Sequence, residues 1–365
     1  MRLEFFPSPT LTRYLAKQFI TWIVGMLLVL VLLLQTLDLL SESGKILGAA
    51  GNGQAELWHY VMLRVPQLVQ RFLPYSVLLA TIITLATLNQ NSEVIAMKAA
   101  GLSAHQVLAP LLASAAVVSL LSFGFNERVV TRSTATLKAW QAQDYGPIPK
   151  DSGVRANVYL RDGPNILAAG TVTGSGAATR MTNVTWYRRD ASGMVLEQLR
   201  APLAVYANPG WKLDAPQRFD VASTASERLP VRVVAPEVTP QQVAISKVDA
   251  DGQDVVSLYG SIQALKAAGR RTSELEGKWW HKFSGPLSAL LMPLLGAIAA
   301  FGLARSGALL IRAIMGMALG FTYFVVDNAA LAMGNFGGYP PLVAAWGPFL
   351  LFLLVGETVL VRTEE

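Results

Sequence analysis

The sequence predicts a membrane α-helical protein, with six transmembrane helices disposed three on either side of an inserted all-β, jellyroll-like domain. Three observations lead there. Of the 365 residues, 52% are hydrophobic and 15% charged, against about 25% charged in ordinary soluble domains. Mean hydropathy is +0.40. Apolar runs approaching the roughly 20 helical residues that a bilayer requires fall in residues 1–125 and 277–365. The intervening 126–276 has no such run and reads as short strands separated by turn residues.

The first run, Phe19–Leu34, follows Arg2, Arg13 and Lys17 and continues through Gln35 to Leu40. It is long for a signal-peptide core and has no convincing small-residue cleavage site beside it, so it reads as an uncleaved first span. Ser41–Glu56 is polar and glycine-rich, hence an external loop. Tyr60–Leu88 is the second span. Within it Arg64, Gln67 and Arg71 share one helical face, and Pro66 and Pro74 mark bends. Asn91–Ser103 (NSEVIAMKAAGLS) is a short amphipathic helix. Ser92 is its expected N-cap beside Glu93, Val94, Met97 and Leu102 are apolar, Glu93 and Lys98 are charged, and Gly101 ends it in the left-handed conformation. The third span is Val107–Phe125, with Val129–Gln143 as its helical continuation.

Strands are expected at Val154–Leu160, Met181–Tyr187, Ala204–Tyr206, Lys212–Asp220 and Leu229–Val234, with helical pieces at Thr239–Gln242 and Ser257–Ala268. Trp279 and Trp280 announce a water–lipid interface. Three further spans follow, at Phe283–Leu303, Ala308–Ala330 and Leu342–Val361. Arg305-Ser-Gly307 is a cytoplasmic turn and Gly334–Pro341 an external loop.

The formal charge of +6 is not a nucleic-acid signature, because the basic residues flank apolar runs and form no dense patch. Arg2, Arg13, Lys17, Lys98, Arg305, Arg312 and Arg362 fall on one side, whereas Ser41–Glu56 and Gly334–Pro341 hold only Lys45. Positive charge marks the cytoplasmic side, which places both termini and Asn91–Ser103 inside and the β domain outside. Without cysteine there are no disulfides or thiolate sites. His59, His105 and His281 are scattered singly, so no metal is expected. No G-x-x-x-x-G-K-[ST], G-x-S-x-G or H-E-x-x-H occurs. The chain therefore has no phosphate loop for ATP and no catalytic constellation. Asp249, Asp251 and Asp254 read as a solvated turn.

Charged side chains at membrane depth usually face a cavity or the bundle interior. Asp38 ends the first span, Arg64, Gln67 and Arg71 stripe the second, Arg128 and Arg132 leave the third, and Lys278 and Lys282 enter the fourth. All lie at the external end. They read either as a basic ring at the mouth of an outward-facing cavity, suited to a phosphorylated lipid, or as snorkelling residues at the interface. Gly316-x-x-x-Gly320 permits close helix approach, either within the chain or to another subunit. Asp327-Asn328 is a polar interruption expected to pack or to bond between helices.

Several stretches together resemble the permease subunits of the bacterial lipopolysaccharide export machine. They are Leu37-Asp38-Leu39, Asn91–Ser103, Trp280-His-Lys-Phe-Ser-Gly-Pro-Leu-Ser288, Phe324-Val-Val-Asp-Asn328 and Gly338-Tyr-Pro-Pro341. The resemblance covers nearly the whole chain, and the Asp38 and Asp327 regions look more like the G-type than the F-type paralogue. It implies an inner-membrane location, a periplasmic β-jellyroll, and lipopolysaccharide or a related glycolipid as substrate. It also implies three kinds of partner: a cytoplasmic ATPase dimer that binds the ATP, a paralogous F-type six-span permease, and a single-span periplasmic bridge protein. By the same resemblance Ser92, Glu93, Met97 and Gly101 belong to a coupling helix seated on the ATPase, with Glu93 pairing a basic residue there. Gln35, Ser41, Glu42 and Gln67 stand where family lysines commonly hold lipid phosphates. Either Arg64 and Arg71 compensate or the substrate carries fewer phosphates. Two other readings are a mechanotransmitting membrane protein that moves no lipid and an envelope enzyme built on carboxylates.

Overall fold

The computed structural model describes residues 6–148, 155–174, 176–190, 192–240, 242–243, 248–267, 269–301 and 309–364. Its helices are α1 (Pro9–Gly48), α2 (Gln54–Gln90), α3 (Glu93–Ala99), α4 (Ala104–Phe125), α5 (Thr131–Gln141), α6 (Val255–Ala267), α7 (Ser273–Phe301), α8 (Leu309–Asn335) and α9 (Pro341–Glu364). A π-helical turn, Asn126–Val130, joins α4 to α5. The chain forms two compact units. One comprises Met1–Asp38, Val65–Val130 and Ala268–Glu365, the other Leu39–Arg64 and Thr131–Ala267.

In the first unit, Pro9 and Pro341 occupy the opening positions of α1 and α9, where a missing N–H costs nothing. Ser103 and Gln106 exchange side-chain and backbone hydrogen bonds at 3.2 and 3.0 Å, a capping box that starts α4. Leu15, Phe19, Val77, Leu85, Leu88, Leu108, Leu111, Leu291, Leu295 and Tyr323 belong to one buried apolar cluster. Among the described residues five stretches are long and apolar enough to cross a bilayer: Pro9–Gly48, Gln54–Gln90, Ala104–Gln141, Ile314–Asn335 and Pro341–Arg362. α7, the expected fourth span, has 29 residues, with Glu274, Glu276, Lys278 and Lys282 gathered before its apolar part. Its packing partners include α4, α8 and α9, and Ser119 Oγ on α4 donates to the Pro286 carbonyl at 2.9 Å. The end of that span at Leu303 and the turn Arg305-Ser-Gly307 lie outside the described residues.

The external loop expected at Ser41–Glu56 is mostly helix. α1 continues to Gly48 and α2 begins at Gln54. Packing in the second unit accounts for the extension: Ile46, Tyr60, Leu137, Trp140 and Tyr145 form a buried cluster. Glu42 accepts from the Tyr145 hydroxyl at 2.6 Å and pairs with Lys45 at 2.9 Å. Asn52 Nδ2 donates to the carbonyls of Ile46 and Tyr145 at 2.9 and 2.8 Å. These bonds are invisible to a local reading of a glycine-rich segment.

The β domain of the second unit is an eight-stranded antiparallel sheet, with order β1 (Arg155–Asp162), β2 (Asn165–Thr173), β3 (Arg180–Arg189), β4 (Val195–Tyr206), β5 (Trp211–Asp214) and β8 (Val231–Val234). The sheet forks at β4. Leu203–Tyr206 pair with β5, whereas Glu197–Arg200 pair with β6 (Gln217–Asp220), which in turn pairs with β7 (Ser226–Arg228). The single strand expected over Lys212–Asp220 is thus two, broken at Ala215, whose φ is 45°. β2 was unanticipated because Ala168-Ala169-Gly170 has weak strand preference; flanking strands on both sides impose it. The core includes Val158, Leu167, Met181, Val184, Trp186, Leu199, Trp211 and Leu213. Between β3 and β4, Asp190 accepts from the Ser192 hydroxyl and the Ser192 and Met194 amides. Those bonds, the hydroxyl's first, hold its carboxyl below the usual range. On the way to α6, Thr239 and Gln242 cap each other reciprocally at 3.1 and 3.3 Å. The Asp254 carboxylate accepts from the Ser257 amide at 2.7 Å at the α6 N-terminus.

Candidate functional site

The stretch between α2 and α4 forms the expected short helix, seven residues long. Its end follows the sequence expectation. Gly101 has φ 87°, Leu102 N donates to Met97 O and Gly101 N to Lys98 O, and this pair of bonds defines a Schellman terminus. Its beginning does not. Ser92 has φ 60° and its side chain makes no capping bond. The connection from α2 to α3 is only Asn91 and Ser92, and the left-handed turn this forces at Ser92 removes the hydroxyl from capping geometry.

Val94 and Met97 are buried in the apolar cluster that also holds Leu88, Val107 and Leu108. Met97, expected to meet a partner, therefore anchors α3 to its own chain. The opposite side leaves Ile95 63% exposed, with Lys98 also exposed. Glu93 is half-buried rather than free-standing. Its Oε1 accepts from the Tyr14 hydroxyl at 3.2 Å and from Asn91 Nδ2 at 3.3 Å.

The residues expected as a basic mouth separate into three groups. Lys282 is buried and its Nζ lies 3.2 Å from Glu127 Oε1, with side-chain exposures of 8% and 15%. Its charge is already matched within the protein, which argues against its expected role as a phosphate ligand. Lys278 pairs with Glu274, one turn back, at 3.3 Å. Arg71, Arg128 and Arg132 are exposed. Arg64 and Gln67 on α2 and Asp38 on α1 are half-buried, each engaged in further polar interactions. Glu42 lies within electrostatic reach of Arg64.

Gly320 is buried against Leu78 of α2, whose side chain stands where a Cβ would go, and Gly316 is also buried. At Gly320 the close approach is internal to this chain. Gly320→Val is expected to cost about 1–3 kcal/mol through overpacking, read as a lowered thermal midpoint of the purified protein in detergent. Asp327 is also buried, and its Oδ2 lies 3.7 Å from His281 Nε2 on α7. Asn328 Nδ2 instead bonds within its own helix, to the Phe324 carbonyl.

Three features of these sites escaped the sequence reading: Tyr14 beside Glu93, Glu127 beside Lys282, and the exposed Ile95. The two polar partners lie 79 and 155 residues from the groups they engage, so no local periodicity reveals them. Ile95 was readable in principle, as the apolar residue of α3 off the Val94–Met97 face.

The family profile of the lipopolysaccharide export system permease LptF/LptG matches residues 13–362. The chain is 26% identical over 368 residues to the lipopolysaccharide export system permease protein LptG of Escherichia coli K12, covering 98% of this chain and 99% of that protein. An LptG from Haemophilus influenzae is 23% identical over 365 residues, with the same coverage.

Proposed function

Because the chain belongs to the LptF/LptG family of lipopolysaccharide export system permeases, we propose that it is the G-type half of an ATP-driven lipid extractor in a bacterial inner membrane. In this reading it pairs with an F-type permease, a cytoplasmic ATPase dimer supplies the power stroke, and lipopolysaccharide or a related glycolipid leaves the membrane toward a single-span periplasmic bridge protein. The scarcity of Lys and Arg in Ser41–Glu56 and Gly334–Pro341, against Arg13, Lys17, Lys98 and Arg362 on the other side, supports a cytoplasmic α3 and a periplasmic β domain.

The observation that carries the reading is the attachment of α3. A seven-residue helix sits between two long apolar helices, with Val94 and Met97 fixed in the core and Glu93 at its head. A push on such a helix cannot move it alone. It displaces the packed core residues of α1, α2 and α4 with it, because close-packed interiors transmit strain. ATP-dependent closure of the ATPases would thereby collapse the lipid cavity. Of the cations expected at the mouth, Arg71 and Arg128 in this unit are exposed and carry no ion pair among the described residues, so they are the ones of that set best placed to meet lipid phosphates.

Glu93→Gln, which keeps shape and removes charge, is expected to weaken capture of the purified ATPase by about tenfold or more, the range for a hydrogen bond to a charged group (~1.5–3 kcal/mol). Unchanged capture and unchanged lipid-stimulated ATP hydrolysis would remove α3 from the power stroke. A photo-crosslinker at Arg71 should label glycolipid more strongly than one at Leu28, which is 54% exposed on α1. Equal labelling would count against the phosphate role.

A further inference from the structure

We propose that Tyr14 is a positioning residue for Glu93: from α1 its hydroxyl orients the carboxylate that receives a basic side chain of the ATPase. The proposal rests on reading α3 as the coupling helix and adds to it a second element, the first membrane helix.

The geometry is asymmetric in a useful way. Both local donors, the Tyr14 hydroxyl and Asn91 Nδ2, converge on Glu93 Oε1 at 3.2 and 3.3 Å. Among the described residues Oε2 makes no hydrogen bond. An ionised carboxylate accepts through both oxygens. Two neutral donors on one oxygen therefore fix the orientation of the group and leave its charge, and one whole oxygen, for an incoming cation. A lysine or arginine in place of Tyr14 would fix the group equally well but cancel the charge that the partner needs. Tyrosine suits the task because its ring has two torsions and its position is set by neighbours: Leu15 and Phe19, one and five residues on, are fully buried in the core. Tyr14 itself is 45% exposed, so the hydroxyl is held at the surface where a docking partner arrives. A preset carboxylate loses less freedom on binding than a free one. The same bond joins α1 to α3 directly, so a displacement of α3 reaches α1 by a polar tether as well as through the core.

A double-mutant cycle on the full-length permease in detergent, titrated with the purified cognate ATPase, tests this. Tyr14→Phe removes one oxygen and leaves the ring. It is expected to weaken ATPase binding roughly three- to tenfold, the net value of one hydrogen bond, with an unchanged thermal midpoint. In a Glu93→Gln background the same substitution should have no further effect. If Glu93→Gln weakens binding and Tyr14→Phe does not, the positioning role is overturned while the coupling-helix reading stands. If neither weakens it, both fall. A Tyr14→Phe loss that is equally large in both backgrounds would mean that Tyr14 touches the partner itself, and would also overturn the proposal.

Discussion

Replacing Arg188, Arg218 and Arg232 together with alanine is expected to destabilise the β domain by about 3–5 kcal/mol, the range for leaving a buried charge without its partners. The charge is Glu197 on β4. Its side chain is 1% exposed, and it meets Arg188 from β3 at 3.1 Å, Arg218 from β6 at 3.1 Å and Arg232 from β8 at 3.5 Å. The three arginines are 45%, 33% and 42% exposed. That difference decides which deletion hurts. The arginines rehydrate if Glu197 is neutralised, whereas Glu197 has no water to fall back on if they are removed. Glu197→Gln alone should therefore be mild, and Glu197→Gln added to the triple variant should recover most of the loss. Hydrogen exchange at the β4, β6 and β8 amides is the appropriate readout, since a chain of two units need not unfold in one step. Equal protection in the triple variant and the parent would make the cluster decorative.

Glu127→Ala is expected to cost a similar amount, about 3–5 kcal/mol, because it leaves the Lys282 ammonium buried and alone. A Lys282→Met, Glu127→Gln double variant should return close to the parent's stability, as hydrophobic replacement of a buried pair often does. The thermal midpoint in a fixed detergent measures both. This variant also bears on function. If lipid crosslinking at Arg71 persists in the double variant, Lys282 serves the fold rather than the lipid; its loss in a well-folded protein would restore Lys282 as a ligand. The contrasting pair Lys278–Glu274 is exposed and one helical turn apart, worth only about 0.3–0.5 kcal/mol.

The features that local chemistry controls were readable. Membrane class followed from apolar runs, and the orientation expected for the chain followed from the placement of Lys and Arg. The end of α3 at Gly101 was also legible, because a left-handed residue after a short helix favours glycine. Errors arose where a distant partner overrode a local preference. Ser41–Gly48 looks like a loop, yet Tyr145 and Asn52 hold it helical. Lys212–Asp220 looks like one strand, but the two ends of β4 claim its halves separately. Ser92 looks like a cap until the two-residue connection to α2 dictates its backbone.

The same division runs through the candidate site. By itself the sequence determined that a short amphipathic helix headed by Glu93 joins two apolar spans, and that Arg64, Gln67 and Arg71 stripe the second. Periodicity and charge placement suffice for both, since each depends on residues within a few turns of one another. Only the tertiary structure decided which charges are still available. Lys282 is matched by Glu127, and Met97 is taken into the core. Glu93 is held, but by neutral donors that leave its charge intact. Whether a charged group is free is a property of what lies across from it, and Tyr14 across from Glu93 and Glu127 across from Lys282 come from parts of the chain that the sequence does not place beside them.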